Sequence, residues 1–379
     1  MRLLRNVDVK SKCVGLRLDL NVPVENKKVI DASRISASIK TIQYLLENNC
    51  RIIIFSHFGR PTEGSYDKRF SLEIVREELS KHLSREVVLI QSLSEKDSHQ
   101  KNKILLHENV RFMSGELDNS EDLGKALNEG LDMYIFDAFG AAHRKHASTN
   151  AAILNSKQSC AGFLVEQEVS ALQQALDCFE EPLISIVGGS KVSTKLGVIE
   201  RLSEISNFVI TGGGITNTFL AAKGLEVGKS LIEESMINQA KMILDNGNIL
   251  LPKRVIVAAS LEDQPIEKEI SEVQSNEMIL DQCISRDIQD HILLARTIIW
   301  NGPIGVFENN SFSNGTAHLS KLIADAKAFS VAGGGETIAA INKFISNSDV
   351  SYCSTAGGAF LEFLEGKELP SLIALGYQN

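Results

Sequence analysis

The longest apolar runs of this chain, such as RIIIFSHF at 51–58, have the length of a strand and fall far short of a membrane-spanning helix. The first residues, MRLLRNVDVKSK, lack the apolar core of a secretory signal, so a cytoplasmic protein with no membrane partner is expected. The six cysteines (Cys13, Cys50, Cys160, Cys178, Cys283 and Cys353) form no CxxC pair. That spacing speaks against a zinc site, and in a cytosolic chain of this size against disulfides; they read as small buried apolar residues. No GxGxxG follows an apolar run, which counts against a dinucleotide-binding dehydrogenase. GLEVGKS at 224–230 imitates a phosphate-binding P-loop but has three residues between its glycines where the loop needs four. The net charge of -9 provides no basic coat, so no nucleic-acid partner is expected.

With 379 residues, the chain exceeds what one hydrophobic core usually serves, and a 43% hydrophobic content describes a globular protein of two domains. Strands are expected at 14–20, 51–56, 87–91, 104–107, 133–137, 184–187, 207–211, 254–258, 297–300, 328–332 and 351–353. Amphipathic helical stretches such as SLEIVREELSKHLSR at 71–85 and INQAKMILDNG at 237–247 separate them. Strands apolar on both faces and alternating with helices imply parallel sheets covered on both sides. The fold class is therefore α/β, with two Rossmann-like lobes of three layers (α/β/α). AGFLVEQEVSALQQALDCFEEP at 161–182 reads as one long helix ended by Pro182, a helical hinge between the lobes.

Two kinds of loop follow the strands. In the first half they carry Arg and His: SHFGRP at 56–61, ENVRF at 108–112 and DAFGAAHRKHAST at 137–149. In the second half they carry glycines: GGSK at 188–191, GGGIT at 212–216, GGGET at 333–337 and STAGGA at 354–359. Guanidinium forks bind anionic oxygens in pairs, and glycine lets backbone N–H groups approach a phosphate. A small anion in one half and a nucleotide in the other point to phosphoryl transfer.

Single residues are less decisive. The two-residue period of RLDLNVP at 17–23 puts Asp19 and Asn21 on one side of a strand end, where they serve equally as turn formers. Arg34, Arg60, Arg111 and Arg144, taken one at a time, read as readily as solvated surface residues; together with His57 at strand ends they are harder to dismiss. GGSKVSTK at 188–195 follows a strand and is expected to open a helix, with Lys191 and Lys195 on one helical face. WNGPIGVFE at 300–308 is either a Gly-Pro turn or a loop that brings Glu308 to ribose hydroxyls. GGGET offers flexible backbone, a carboxylate and a hydroxyl of the kind a Mg-phosphate site needs.

RLDLNVP, SHFGRPTEG, ENVRF, DAFGAAHRKHAST, GGSKVSTKLGVIE, GGGITNTF, WNGPIGVFE, GGGETIAAI and STAGGAFLEFLEGKELP occur in the order found in the phosphoglycerate kinase family, from residue 17 to residue 370. The chain resembles that family over nearly its whole length. The resemblance implies a two-lobed monomer that transfers a phosphoryl group between 1,3-bisphosphoglycerate and MgADP, giving 3-phosphoglycerate and MgATP, with lobe closure excluding water. It implies an acid-substrate lobe at 1–168, an interdomain helix at 169–182, a nucleotide lobe at 183–361 and a tail at 362–379 that returns to the first lobe. Asp19, Asn21, Arg34, His57, Arg60, Arg111 and Arg144 would bind the acid substrate. Lys195, Gly213, Glu308, Gly334, Gly335, Glu336 and Thr337 would bind ADP or ATP, with Glu336 meeting Mg2+. Arg34, Lys191, Gly335 and Gly358 would act on the transferring group.

The chain departs from the family pattern in its second half. Ser190, Thr194 and Ala356 are variants that some bacterial members resemble. Glu336 stands where the pattern has Asp, Cys283 where Gly is expected, and Arg254 where Asp is usual. The segment 279–296 is altered, with a helix that looks shortened. One extra methylene at Glu336 is expected to weaken Mg2+ binding, and misplacement by about 1 Å can cost roughly 100-fold in rate. These changes raise a competing reading, a binding or regulatory paralogue with an impaired nucleotide site.

Overall fold

The computed structural model describes residues 1–97 and 103–378. The chain divides into two compact units, Met1–Ser170 with Glu368–Asn379, and Ala171–Lys367.

In the first unit the elements run β1 (Cys13–Leu18), the short ribbon β2 (Val24–Glu25) and β3 (Lys28–Val29), α1 (Ser33–Glu47), β4 (Arg51–Phe55), α2 (Glu73–Leu83), β5 (Val88–Ile90), β6 (Ile104–His107), α3 (Glu121–Leu127), β7 (Met133–Asp137), α4 (Ala152–Leu154), β8 (Ser159–Ala161) and α5 (Phe163–Leu176). Six strands form one parallel sheet in the order β5-β6-β4-β1-β7-β8. Val14, Leu16 and Leu18 of the central strand pack with Ile52, Ile54, Leu106 and Ile135 of its neighbours. Ile35, Ile42 and Leu45, spaced for one face of α1, close over them. Each such side chain contributes about 1.5–3 kcal/mol when fully buried. The order of strand addition reverses about β1, with β4 on one side and β7 on the other, so the loops beyond the carboxyl ends of these parallel strands frame a crevice.

The second unit runs β9 (Leu183–Gly188), α6 (Leu196–Ile205), β10 (Phe208–Gly212), α7 (Gly214–Ala222), α8 (Ile237–Leu244), β11 (Ile249–Leu250), β12 (Arg254–Ala258), β13 (Ile266–Glu269), β14 (Met278–Gln282), α9 (Arg286–Leu294), β15 (Thr297–Asn301), α10 (Asn314–Asp325), β16 (Phe329–Gly333), α11 (Gly335–Phe344), β17 (Tyr352–Ser354) and α12 (Gly358–Leu364). Its parallel sheet has the order β11-β10-β9-β15-β16-β17. Trp300, Ile298, Ile184 and Ile186 lie in its core beneath α9, α10 and α11. The switch in direction lies between β9 and β15, where the loops at 188–195 and 302–308 begin. A final helix, α13 (Pro370–Ala374), belongs to the first unit: Ser371 N–H donates to Ala142 O at 3.1 Å, and Asn150 Nδ2 donates to Pro370 O at 3.0 Å.

Three expectations change. The helix expected over 161–182 occupies only Phe163–Leu176. Ser159–Ala161 is an edge strand paired with β7, and the Asp177 and Cys178 N–H groups close the helix on Gln173 O (2.8 and 3.1 Å). The run 254–258 is not in a parallel sheet; it is the middle strand of an antiparallel one, β13-β12-β14. The altered segment at 279–296 supplies β14 and α9, and Asp281 holds it in place by accepting from Gly315 N–H at 2.7 Å and Gln282 N–H at 2.9 Å. Burial raises the Asp281 carboxyl to about 7. The tail returns from Glu368 onward, not from residue 362, since α12 packs on α6 within the second unit.

Candidate active site

In the first unit the sheet brings the expected side chains together at its carboxyl edge. Asp19 and Asn21 follow β1; Asp19 is buried and pairs with Arg34 on the first turn of α1, Nη1 to Oδ2 3.1 Å. Arg34 Nη1 also donates to Asn21 O at 3.0 Å, and Asn21 Oδ1 accepts from Gly59 N–H at 2.8 Å, which fixes the loop after β4. His57 in that loop is buried, with Arg144 Nη1 3.1 Å from its Nε2. Arg111, on the short turn after β6, donates to Gly59 O, while its buried Nε has no partner. Arg60 is exposed at the rim.

The cations are crowded. Burial first, then the neighbouring Arg144 and Arg17, push Arg111 down to about 10. Burial also lowers Arg144. His57 is driven well below the usual imidazole range by burial and by Arg17, Arg111, Arg144 and Arg34. Burial, with Arg111 and Arg144 beside it, takes His146 to about 4. Like charges this close are stable only with compensating negative charge, and Asp19 and the buried Glu116 supply only part of it.

Sequence reasoning missed the base of this cluster. Arg17 is only 1% exposed, one residue before the carboxyl end of β1. Its Nε donates to Ser148 Oγ at 2.9 Å, Nη1 donates to Leu18 O, and Nη2 lies 3.2 Å from His57 Nδ1. Glu116 anchors Ser148 by accepting from its N–H (2.8 Å) and Oγ (2.6 Å). The signal was available: the period that pairs Asp19 with Asn21 puts Arg17 on the same side, and a charge inside an apolar strand needs a partner.

In the second unit the glycines divide into two kinds. A Cβ at Gly188 would collide with Pro303 O, and one at Gly302 with Gly188 O, so these glycines let the 302–304 segment lie against the end of β9. They serve packing, not a phosphate. Gly213, which caps α7, stands apart: its φ of 62° favours glycine, and a Cβ there would come only slightly too close to Gly189 O, at 2.9 Å. Gly335 is different: it opens α11 with helical backbone, and a Cβ there meets nothing within 4 Å. Gly334 before it has φ 98°, a value that favours glycine. The N–H of Ile338 is the first in α11 to reach a helical acceptor (Gly334 O, 3.0 Å), so those of Gly335, Glu336 and Thr337 face outward from the helix start.

Lys191 and Lys195 do not share a helical face. Helix α6 begins only at Leu196, and both lysines lie in the bend before it. Lys191 is exposed; Lys195 turns inward, its Nζ donating to Gly188 O and to Asn301 O (3.3 Å). Burial lowers Lys195 to about 8, with Glu336 acting against the shift. The Thr337 hydroxyl is committed inside the fold, accepting from Gly302 N–H and donating to Gly333 O, each at 2.8 Å, so its backbone N–H is the part left for a ligand. Glu308 is exposed on the turn after β15, and Gly358 opens α12 at the surface. Among the described residues no three His, Cys, Asp or Glu side chains form a metal cage. Glu336, exposed on the first turn of α11 near Lys195, fits the other way of holding Mg2+, one carboxylate plus phosphate oxygens.

Comparison with known proteins identifies the family. The family model for phosphoglycerate kinase matches residues 4–367. The phosphoglycerate kinase of Psychrobacter sp. is 46% identical over 98% of this chain and 97% of its own length, and that of Francisella philomiragia is 46% identical over 97% and 96%. The solved structure of phosphoglycerate kinase from Coxiella burnetii superposes with a TM-score of 0.92 at 42% identity, covering 99% of each chain. That from Pyrococcus horikoshii gives 0.83 at 32% identity, covering 99% of this chain and 98% of its own. The competing reading of a binding paralogue gains no support from these likenesses. The chain belongs to the phosphoglycerate kinase family.

Proposed function

We propose that this phosphotransferase works with Asp19, Asn21, Arg34, His57, Arg60, Arg111 and Arg144 as its acid-substrate site, and with Lys195, Gly213, Glu308 and Gly334–Thr337 as its nucleotide site. The reaction is reversible transfer of a phosphoryl group between 1,3-bisphosphoglycerate and ADP. The observation that carries the residue assignment is the crowding of buried and half-buried cations around His57, which calls for an anion. The unexplained glycine at the start of α11 supports the nucleotide side.

In the direction of ATP use, a carboxylate oxygen of 3-phosphoglycerate attacks the γ-phosphorus, and the bond to the bridging oxygen of ADP breaks. The substrate supplies the nucleophile, so the protein needs no catalytic serine and no covalent intermediate. Its task is positioning and charge stabilisation. Arg34 and Lys191 each bring positive charge to the oxygens of the group in transfer, while the N–H groups at Gly335 and Gly358 accept its developing negative charge. Mg2+, when bound, neutralises phosphate charge, and Glu336 would hold it together with the nucleotide's own oxygens. The reading includes a monomer acting in the cytoplasm.

The test is 3-phosphoglycerate-dependent ATP turnover with Mg2+, measured beside Glu336→Asp. Robust turnover in the parent, changed by the substitution chiefly in its Mg2+ requirement, is the expected result. Turnover absent from both proteins would overturn the proposal.

A further inference from the structure

A neutral imidazole carries one N–H and one lone pair, yet both ring nitrogens of His57 face groups that can only donate. Arg17 Nη2 lies 3.2 Å from Nδ1 and Arg144 Nη1 lies 3.1 Å from Nε2. One of the two contacts must set a donor against a donor. The surroundings decide which. Arg17 is buried and immobilised by Ser148 Oγ and Leu18 O, with Glu116 fixing Ser148 from behind, so it cannot withdraw from Nδ1 and no ligand can enter between them. Arg144 is half-buried, on the loop after β7, and can accommodate a third group.

We propose that Arg17 is a positioning residue that fixes His57 as the neutral Nε2–H tautomer, so that Nε2–H and the Arg144 guanidinium present their donors to the same oxygen of the acid substrate. The opposed donors at Nε2 are then relieved only by an anion. Arg17 acts through His57 and does not itself touch the substrate. The charged groups facing the ring are Arg17 from β1, Arg34 from α1, Arg111 from the turn after β6 and Arg144 from the loop after β7; all are cations and disfavour an imidazolium. This deepens the assignment of the cluster as the acid-substrate site and rests on it.

The experiment is nitrogen NMR of the full chain labelled with 15N-histidine, the His57 signals being identified by their disappearance in His57→Gln. In the free protein at pH 7, the expected result is an unprotonated Nδ1 and a protonated Nε2. A ring protonated on Nδ1, or on both nitrogens, overturns the proposal. Because this reading needs only the parent protein, it does not depend on whether a variant folds. Adding 3-phosphoglycerate then tests the site assignment separately: movement of the Nε2 signal supports that assignment, and its absence rejects it while the tautomer stands. Arg17→Met, with Ser148→Ala as the milder variant, should mix the tautomers and raise KM for 3-phosphoglycerate about tenfold, the size of one hydrogen bond to a charged group, with kcat changed less. Unchanged tautomer and KM in both folded variants would also defeat the role given to Arg17.

Discussion

On the proposed site assignment, the two units answer the same need, holding negative charge, with different materials. The first uses side chains: four arginines and a buried imidazole forced together, steadied by Asp19 and by the Glu116–Ser148–Arg17 chain beneath them. The second uses mostly backbone: the open start of α11, one half-buried lysine and one exposed carboxylate. The first arrangement stores repulsion that its ligand relieves. The second leaves space that its ligand fills. Substitutions in the first unit should therefore act through charge, and those in the second through shape.

The largest effect is expected at Arg34. Arg34→Ala removes a partly exposed guanidinium and leaves the buried Asp19 without its ion-pair partner, so denaturant unfolding is measured beside turnover to separate lost stability from lost chemistry. Turnover should fall on the order of 10²–10³-fold, as when one transition-state donor is lost; near-normal kcat would break the charge side of the comparison. Within the second unit, two Gly→Ala changes should part company. Gly188→Ala drives a methyl into Pro303 O and should cost about 3 kcal/mol or prevent folding of that unit, measured by denaturant unfolding. Gly335→Ala has room, so stability should stay within about 0.5 kcal/mol while MgADP affinity drops roughly tenfold. Equal stability losses from the two would erase the distinction between packing glycines and ligand-facing ones.

The smallest effect sharpens the contrast through pH. In the first unit His57, His107, His143 and His146 have lowered pKa values, His146 to about 4, so their contribution is lost as pH falls from 6.5. Asp137, raised to about 6 by burial, opposes them within that unit. In the second unit Asp281, raised to about 7, favours the fold most below 3.8 and loses that contribution as pH climbs to 7. Between pH 7 and pH 5, amide exchange corrected for its intrinsic rate should show β1, β4 and β7 less protected and β14 with α10 more protected, by on the order of tenfold. Parallel behaviour of the two units would count against this ledger of buried groups.

The alternation of apolar runs with amphipathic stretches was enough to read the α/β class and all eleven of the expected strand positions. Ser159–Ala161 and Ile249–Leu250 are too short to carry a pattern of their own; they exist because β7 and β10 offer an edge to pair with. The run at 254–258 is apolar like its parallel counterparts, and only its antiparallel neighbours, with the charged IEKE strand on one side, reveal a different sheet. The arginine loops stood out only as a group, since each Arg alone reads as readily as a surface residue while several at strand ends of one half do not. The glycines were harder to read, because sequence cannot distinguish Gly188, required by a crossing backbone, from Gly335, which no packing requires. Lys191 and Lys195 were misplaced on a helix because the turn that precedes α6 has the same spacing.

The most direct test of the two-material account is a crossed titration. 3-Phosphoglycerate and MgADP are each titrated calorimetrically into the parent, Arg111→Ala and Gly335→Ala. The account predicts that Arg111→Ala loses 3-phosphoglycerate affinity alone and Gly335→Ala loses MgADP affinity alone. Loss of both ligands in either folded variant, or loss of the opposite ligand, would contradict it.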